Sequence, residues 1–358
     1  MAANGSMLRL ARQRKQLSQI DAAVKLGIDQ PILSRIENGL IEAREEVLVR
    51  ASSVYDVPVS FFSLTDPVYG APVSVHPMWR RKADVSGREM DAVISELNIW
   101  VMHLRRLLQG AEYVHTANVP QLDIEDYGDP EKIAGLLRAH WKMPPGPIRD
   151  LTLLVERAGI IVAHSTLRGA SVSGVTFAPP GVPPLVVLNS EQPADRLRFT
   201  LAHELGHMVM HRFPTPKMED EANAFASAFL LPSRDISPYF FGRRVDLALL
   251  AALKTEWRVS MQSVLMRAKS LGFLSQTQEQ YLWRQISARG YRLREPPELD
   301  FPAEKATVIE SLLQVHRDAL GYSDQELARF LHLFEADIRQ QYHLTSRKAE
   351  RPKIAVVK

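Results

Sequence analysis

The residues most able to do chemistry lie in Phe199-Thr-Leu-Ala-His203-Glu204-Leu-Gly-His207-Met-Val-Met-His211. Histidines four positions apart on a helix share one face, one turn apart, so both imidazoles can reach a single ion. Glu204 follows the first histidine directly and is placed to take a proton from water that the ion activates. Zinc in such a site lowers the pKa of water toward about 7, which supplies a nucleophile at neutral pH. Leu201, Ala202, Leu205, Met208, Val209 and Met210 are apolar nearly all round the motif, which predicts a buried helix. Buried histidines and a glutamate carry a desolvation cost that partners must offset. Gly206 disfavours the helix, by roughly 0.5–1 kcal/mol relative to alanine, and so needs a compensating reason.

A third protein ligand is required. His203 and His211 stand eight residues apart, about 12 Å along a helix axis at about 1.5 Å per residue. One ion with bonds of about 2 Å does not bridge that span, so His211 is read as a supporting residue. The acidic run Glu219-Asp220-Glu221 opens the next predicted helix, whose Ala222, Ala224, Ala226 and Ala228 permit close packing. Both Glu219 and Glu221 are candidates. Glu219 continues the small-residue stripe 219, 222, 223, 226 and is preferred.

Helices are predicted over 199–211 and 219–231 to carry these groups. Upstream, Ser86-Gly-Arg-Glu89 spells a capping box opening a helix to about Leu108. Further helices are expected from Asp129-Pro130 to Trp141 and from Pro147 to Ala158. Ile160–Val162, Gly174–Phe177 and Leu185–Leu188 are short β-branched runs that predict a small sheet. Leu185–Leu188 is the candidate edge strand on which a peptide would pair beside the active helix, although core packing explains its sequence equally well. The fold class is therefore mainly α with a small β-sheet (α+β), and residues 245–345 read as helical.

Taken in order, Phe199-Thr-Leu-Ala-His-Glu-Leu-Gly-His, then Glu219-x-x-Ala222-Asn223-x-Phe225-Ala226 and Leu230-Leu231-Pro232, resembles the ImmA/IrrE metallopeptidase family. The likeness extends upstream through Val187-Leu188-Asn189 and covers roughly 147–235. It implies a zincin-like fold and two metal-binding histidines, His203 and His207. It also implies Glu219 as third ligand, Glu204 as catalytic base and helix-turn-helix repressors as substrates. Zinc suits a His/His/Glu set, and manganese or iron also fit it.

A second resemblance lies at the N-terminal end. Leu8, Leu10, Ala11 and Leu17 form a first apolar stripe, and Ile20, Ala22, Ala23, Val24 and Leu26 a second. Gly27 stops that second helix, and a third ends at Asn38-Gly39. With Gln16-Leu-Ser18-Gln19 and Leu33-Ser34-Arg35-Ile36-Glu37-Asn38-Gly39, residues 8–62 resemble an Xre/Cro-type helix-turn-helix domain. Val24, Ile28 and Leu33 are expected in its core. The second helix of the motif would enter the major groove of a double-stranded operator. Gln30, Ser34 and Arg35 would then meet bases or phosphate, and Gln19 would brace a phosphate. Charge there is nearly balanced, eight Lys/Arg against seven Asp/Glu over residues 1–60, so the same shape also suits a protein-interaction module. A weak further helix-turn-helix pattern near Gly321–Leu344 reads better as helical packing.

The expected organisation is a helix-turn-helix domain over 7–64, a Pro/Gly-rich linker over 65–80 and a zincin-like domain over 81–240. A helical C-terminal domain over 241–346 and a basic, disordered tail over 347–358 complete it. The 358 residues contain no cysteine, which excludes thiolate sites and disulfides. Apolar residues at 46% and charged residues at 24% fit a soluble chain, and net charge is +3. No apolar run approaches a membrane span, and Arg9, Arg12, Arg14 and Lys15 interrupt any signal-peptide core. A cytoplasmic location without membrane attachment is expected. The leading reading is a DNA-binding regulator fused to a metal-dependent endopeptidase acting on a protein, with a homodimer expected on a palindromic operator. The alternative is a transcription factor whose peptidase domain is silent and serves as sensor or dimerisation module.

Overall fold

A computed structural model describes residues 3–71, 86–167 and 172–342. Part of the expected linker, 72–80, and the basic tail, 347–358, lie outside the described residues.

Five short elements open the chain: α1 (Gly5–Arg14), α2 (Gln19–Leu26), α3 (Gln30–Glu37), α4 (Glu45–Tyr55) and a 3-10 turn (Val59–Ser63). The Ser18 side chain caps α2 by accepting from the Asp21 N–H, and Gly27 ends it at φ +67°. That left-handed φ suits glycine, so the α2–α3 turn is written into one residue. Ala22, Ala23 and Leu26 of α2 pack with Leu33 and Ile36 of α3. Val24 is not in this core: it is 76% exposed, and Ile20 on the same outer face is 67% exposed. In a helix of eight residues the inward face holds only positions 22, 23 and 26, and alanine there brings α3 close.

The long helix α5 (Gly87–Gly110) begins at the capping box formed by Ser86 and Glu89. Its Ile99 and Met102 join the helix-turn-helix core, while Val93, Leu97, Val101 and Leu104 face a second core. Arg14 pairs with Glu96 at 2.9 Å across this contact. Tyr69 and Asn98 exchange hydrogen bonds, and Arg106 pairs with Asp66 at 2.7 Å. Residues 66–69 therefore lie along α5.

A short turn α6 (Ile124–Tyr127), then α7 (Pro130–His140) and α8 (Leu151–Arg157), lead to the sheet. The helix expected from Pro147 starts only at Leu151, because Asp150 caps it by accepting from the Leu153 N–H. Strands β1 (Ile161–Ser165), β2 (Gly174–Phe177) and β3 (Leu185–Asn189) are ordered β1-β3-β2. β3 runs parallel to β1 and antiparallel to β2. The expectation that Leu185–Leu188 is an edge strand is thus corrected. β3 is central and buried along its whole length, which is what its unbroken apolar run encodes. β2 is the edge.

Alternation across this sheet divides two cores. Val162, Val186 and Leu188 face α9 (Ala194–Met210) and α10 (Met218–Leu230). Val175, Phe177, Leu185 and Val187 face α5 and α15 (Val308–Asp318). The first core also takes in α11 (Ser233–Phe240), α12 (Leu247–Trp257), α13 (Met261–Ser270) and α14 (Gln276–Ala288). The second takes in α16 (Asp324–Phe330) and α17 (Glu335–Gln341). The segment 241–342 therefore contributes to two cores. The molecule is mainly α with one small sheet, and no described helix is long and apolar enough to cross a membrane.

Candidate active site

α9 starts five residues earlier than its apolar pattern suggests, directly after Pro193, and ends at Met210. Its first turns, Ala194-Asp-Arg-Leu-Arg, are polar enough to pass for loop. α9 and α10 pack together, with Gly206 of one against Phe225 of the other. A Cβ at Gly206 would stand 2.8 Å from the Phe225 ring, closer than real contacts allow. The contact supplies the reason for glycine in this helix and fixes α10 against the histidine face.

That packing brings Glu219 to the histidines. Its carboxylate oxygens lie 3.6 Å from His203 Nε2 and 3.3 Å from His207 Nε2. The two Nε2 atoms are 3.0 Å apart, and one donor atom from each of the three residues falls within 4.8 Å of the others. All three residues are buried. Glu221 turns elsewhere, to His211 Nε2 at 3.1 Å.

The outer ring atoms decide what the inner ones can do. The Glu221 carboxylate only accepts, so His211 Nε2 carries its proton and His211 Nδ1 is a bare acceptor. His211 Nδ1 lies 3.1 Å from His207 Nδ1, which must then be the donor, leaving the His207 Nε2 lone pair free. His203 Nδ1, 3.0 Å from Asn223 Oδ1, donates in the same way. Two nitrogen lone pairs and a carboxylate thus converge with no proton assigned between them. Glu219 Oε1 is buried and makes no hydrogen bond of acceptable geometry. Such a donor set fits a divalent cation.

The electrostatics agree. Burial penalises a charged His203, but Glu219 and Glu204 outweigh it and hold the imidazole above its ordinary value. Burial would likewise raise Glu219, yet the close approach of His203 and His207 pulls it down to about 2. Without an ion the cluster gathers a proton instead. Protons and metal therefore compete, and metal affinity should fall as pH drops through the histidine range.

His211 lies just beyond the helix, with extended backbone and its N–H on the His207 carbonyl at 3.0 Å. Its ring meets His207 from outside, which the axial spacing alone did not exclude. Replacing it removes the acceptor that fixes the His207 tautomer. His211→Ala should weaken zinc binding by about 10- to 100-fold, measured by competition with a chromophoric chelator. Unchanged affinity would contradict this role.

Glu204 is 1% exposed and accepts from the Thr176 hydroxyl at 2.6 Å. Thr176 shares a sheet face with its β3 partner Val186, toward α9. Sequence reading missed Thr176, since nothing in a four-residue strand marks one hydroxyl as special. Asn223 stands in the motif of α10, but only the fold shows that it meets His203.

A cleft of about 520 Å³ opens on His203, Glu204, Glu219 and Asn223. Its far wall is Tyr291–Glu295. Glu295 holds this lip in place by accepting from the Met261 and Gln262 N–H groups and pairing with Lys254 at 3.0 Å. Lys254, 1% exposed, also pairs with Asp195.

The helix-turn-helix residues form a separate cluster. Buried Glu37 accepts from Arg12 at 2.6 and 2.9 Å and from Gln19 Nε2 at 2.9 Å. Gln30 Nε2 donates to Gln19 Oε1 at 2.8 Å, so Gln19 and Gln30 are oriented together at the start of α3. Pro31 stands in the first turn of α3. Ser34 is half-buried and Arg35 exposed, one turn further along.

Two family profiles match at these places. Residues 155–269 match the IrrE N-terminal-like domain, a peptidase family, and residues 8–62 match a helix-turn-helix family. No curated protein matches the chain.

Proposed function

We propose that this chain, which joins a helix-turn-helix domain to an IrrE N-terminal-like domain, is a DNA-binding regulator and zinc-dependent endopeptidase. The single observation that carries the peptidase reading is the convergence of His203 Nε2, His207 Nε2 and the Glu219 carboxylate within 4.8 Å. Beside them stands Glu204, a carboxylate with no ligand role and a cleft before it. A domain used only as a scaffold has no need of Glu204.

His203, His207 and Glu219 would hold the ion, which supplies a Lewis acid that polarises a peptide carbonyl and makes water easier to deprotonate. Glu204 takes the proton from the attacking water and later delivers it to the leaving amine. Thr176 fixes one Glu204 oxygen by its hydrogen bond, which leaves the other to face the cleft. Among the described residues β2 pairs only with β3, so its open edge offers backbone groups on which an extended substrate adds as a strand. The substrate is a protein, and the family likeness favours a helix-turn-helix repressor. Manganese or iron would suit the same ligands. Zinc-dependent hydrolysis of a degenerate peptide pool, lost on chelation and restored by Zn2+, tests the reading. Intact peptides after incubation with the zinc-loaded chain would contradict it.

For DNA, Gln30, Ser34 and Arg35 on α3 read the major groove of an operator, with Gln19 bracing Gln30 and meeting phosphate. A palindromic operator would take two copies of the chain. Once a site is selected from random duplexes, Arg35→Ala should weaken binding by about 1–3 kcal/mol, read by electrophoretic mobility shift. A loss of specificity at one base pair would mark a base contact, and a uniform loss a phosphate contact. No change in affinity would remove Arg35 from the interface.

A further inference from the structure

Four cationic side chains line the cleft, and two of them are spent in ion pairs within the chain. Among the cleft's acidic residues, Asp195 and Glu295 are engaged by Lys254, and Asp300 by Arg294. Glu204 is held by Thr176, and Glu219 faces the histidines. Two guanidinium groups remain, on Arg196 and Arg292. Neither has an acidic partner within ion-pair distance among the described residues.

Both are held rather than free to wander. Arg196 Nε donates to Ser173 Oγ at 3.3 Å. Arg292 Nε donates to Ser287 Oγ at 2.7 Å, and its guanidinium lies 4.8 Å from the centre of the Trp283 ring. The lip that carries Arg292 is tied to α13 through Gln262, whose Nε2 donates to the Tyr291 carbonyl at 3.2 Å. In each case the Nε is occupied while the two terminal NH₂ groups keep their donors. That is the end of the fork that grips a carboxylate with two parallel hydrogen bonds. Between the arginines of the lip, Leu293 is 96% exposed, an apolar contact offered at the same rim.

Position follows from helix geometry. Arg196 precedes His203 by seven residues of one continuous helix, two turns on the same face and about 10 Å away along the axis. An extended peptide advances about 3.3 Å per residue. A side chain gripped by Arg196 would therefore lie about three residues from the bond being cut.

We infer that the cleft selects peptide segments with an acidic side chain about three residues from the scissile bond, gripped by Arg196 and Arg292. The inference rests on the peptidase reading for the location of the scissile bond, and names the substrate class of that site. Neither arginine touches the reacting atoms; both act in recognition.

The test uses the full chain carrying Glu204→Gln, loaded with Zn2+, so that peptide binds without being consumed. The probes are two fluorescein-labelled pools of blocked dodecapeptides, degenerate over neutral residues except at one central position. That position is Glu in one pool and Gln in the other. Fluorescence anisotropy should show the Glu pool binding about tenfold more tightly, the difference shrinking in 0.5 M salt. Adding Arg196→Gln and Arg292→Gln should abolish the preference, bringing the Glu pool down to the affinity of the Gln pool. Equal binding of the two pools, a preference that survives in the double variant, or no binding of either pool overturns the inference. Mass spectrometry of both pools after incubation with the zinc-loaded wild-type chain separates the two claims. Hydrolysis without acidic selection sinks this inference alone. If neither pool is cut, the peptidase reading fails, whatever anisotropy shows of the cleft.

Discussion

Glu204→Gln should lower peptide hydrolysis by about 10²- to 10⁴-fold, the usual contribution of a positioned general base, while leaving zinc content and DNA affinity unchanged. The substitution is nearly isosteric. The amide oxygen can still accept the hydrogen bond from Thr176 that Glu204 now accepts at 2.6 Å, so the side chain stays in place. What it loses is the capacity to carry a proton. Glu204 is also separate from the three residues whose donor atoms converge, so the ion should remain. Hydrolysis that persists at the wild-type rate would remove Glu204 from the chemistry. Loss of zinc together with activity would instead make it a ligand or a fold determinant.

Lys254→Met should destabilise the peptidase core by about 3–5 kcal/mol, the usual cost of removing one partner from a buried ion pair. Lys254 is 1% exposed, and its ammonium lies between Asp195 and Glu295, both mostly buried. Methionine fills the stem but leaves two carboxylates facing each other. Burial alone would lower the Lys254 ammonium, yet the two carboxylates more than compensate and hold it above its ordinary value. A raised value means that this stabilisation is fully present at neutral pH and fades only as pH rises through it. Thermal unfolding at pH 7 followed by circular dichroism checks the effect. Asp195→Asn with Glu295→Gln in the Lys254→Met background should recover part of the loss, since the buried charges go as well. An unchanged unfolding temperature in Lys254→Met would show the triad to be incidental. Because Glu295 anchors the Tyr291–Glu295 lip, the same variant should loosen the cleft wall.

The histidine pair was legible because its chemistry is local: helical spacing alone puts positions 203 and 207 on one face. Glu219 was preferred from the pattern of small residues on its helix, and the structure sets that residue against both histidines. Gly206 announced a close contact without naming its partner, which is Phe225. What remained hidden was contributed from a distance. Thr176 reaches Glu204 from a strand 28 residues away, and the cleft's far wall arrives from Tyr291–Glu295. No periodicity links such segments. β3 misled for a physical reason. A continuous apolar run describes burial on both faces, and an edge strand beside an open cleft needs only one buried face. Val24 misled differently. A short helix cannot turn every apolar residue inward, and its alanines took the inner positions. Asp195 and Arg196 were hidden in the polar first turns of α9, where loop and solvated helix look alike in sequence.

The central claim is that His203, His207 and Glu219 hold a metal ion. Elemental mass spectrometry of the purified full chain, dialysed against metal-free buffer and run beside His203→Ala, tests it most directly. The account predicts about one zinc per chain in the wild type and its loss in the variant, with the helical circular dichroism signal preserved in both. A wild-type chain that holds no ion, and takes up none on titration with Zn2+, would contradict it.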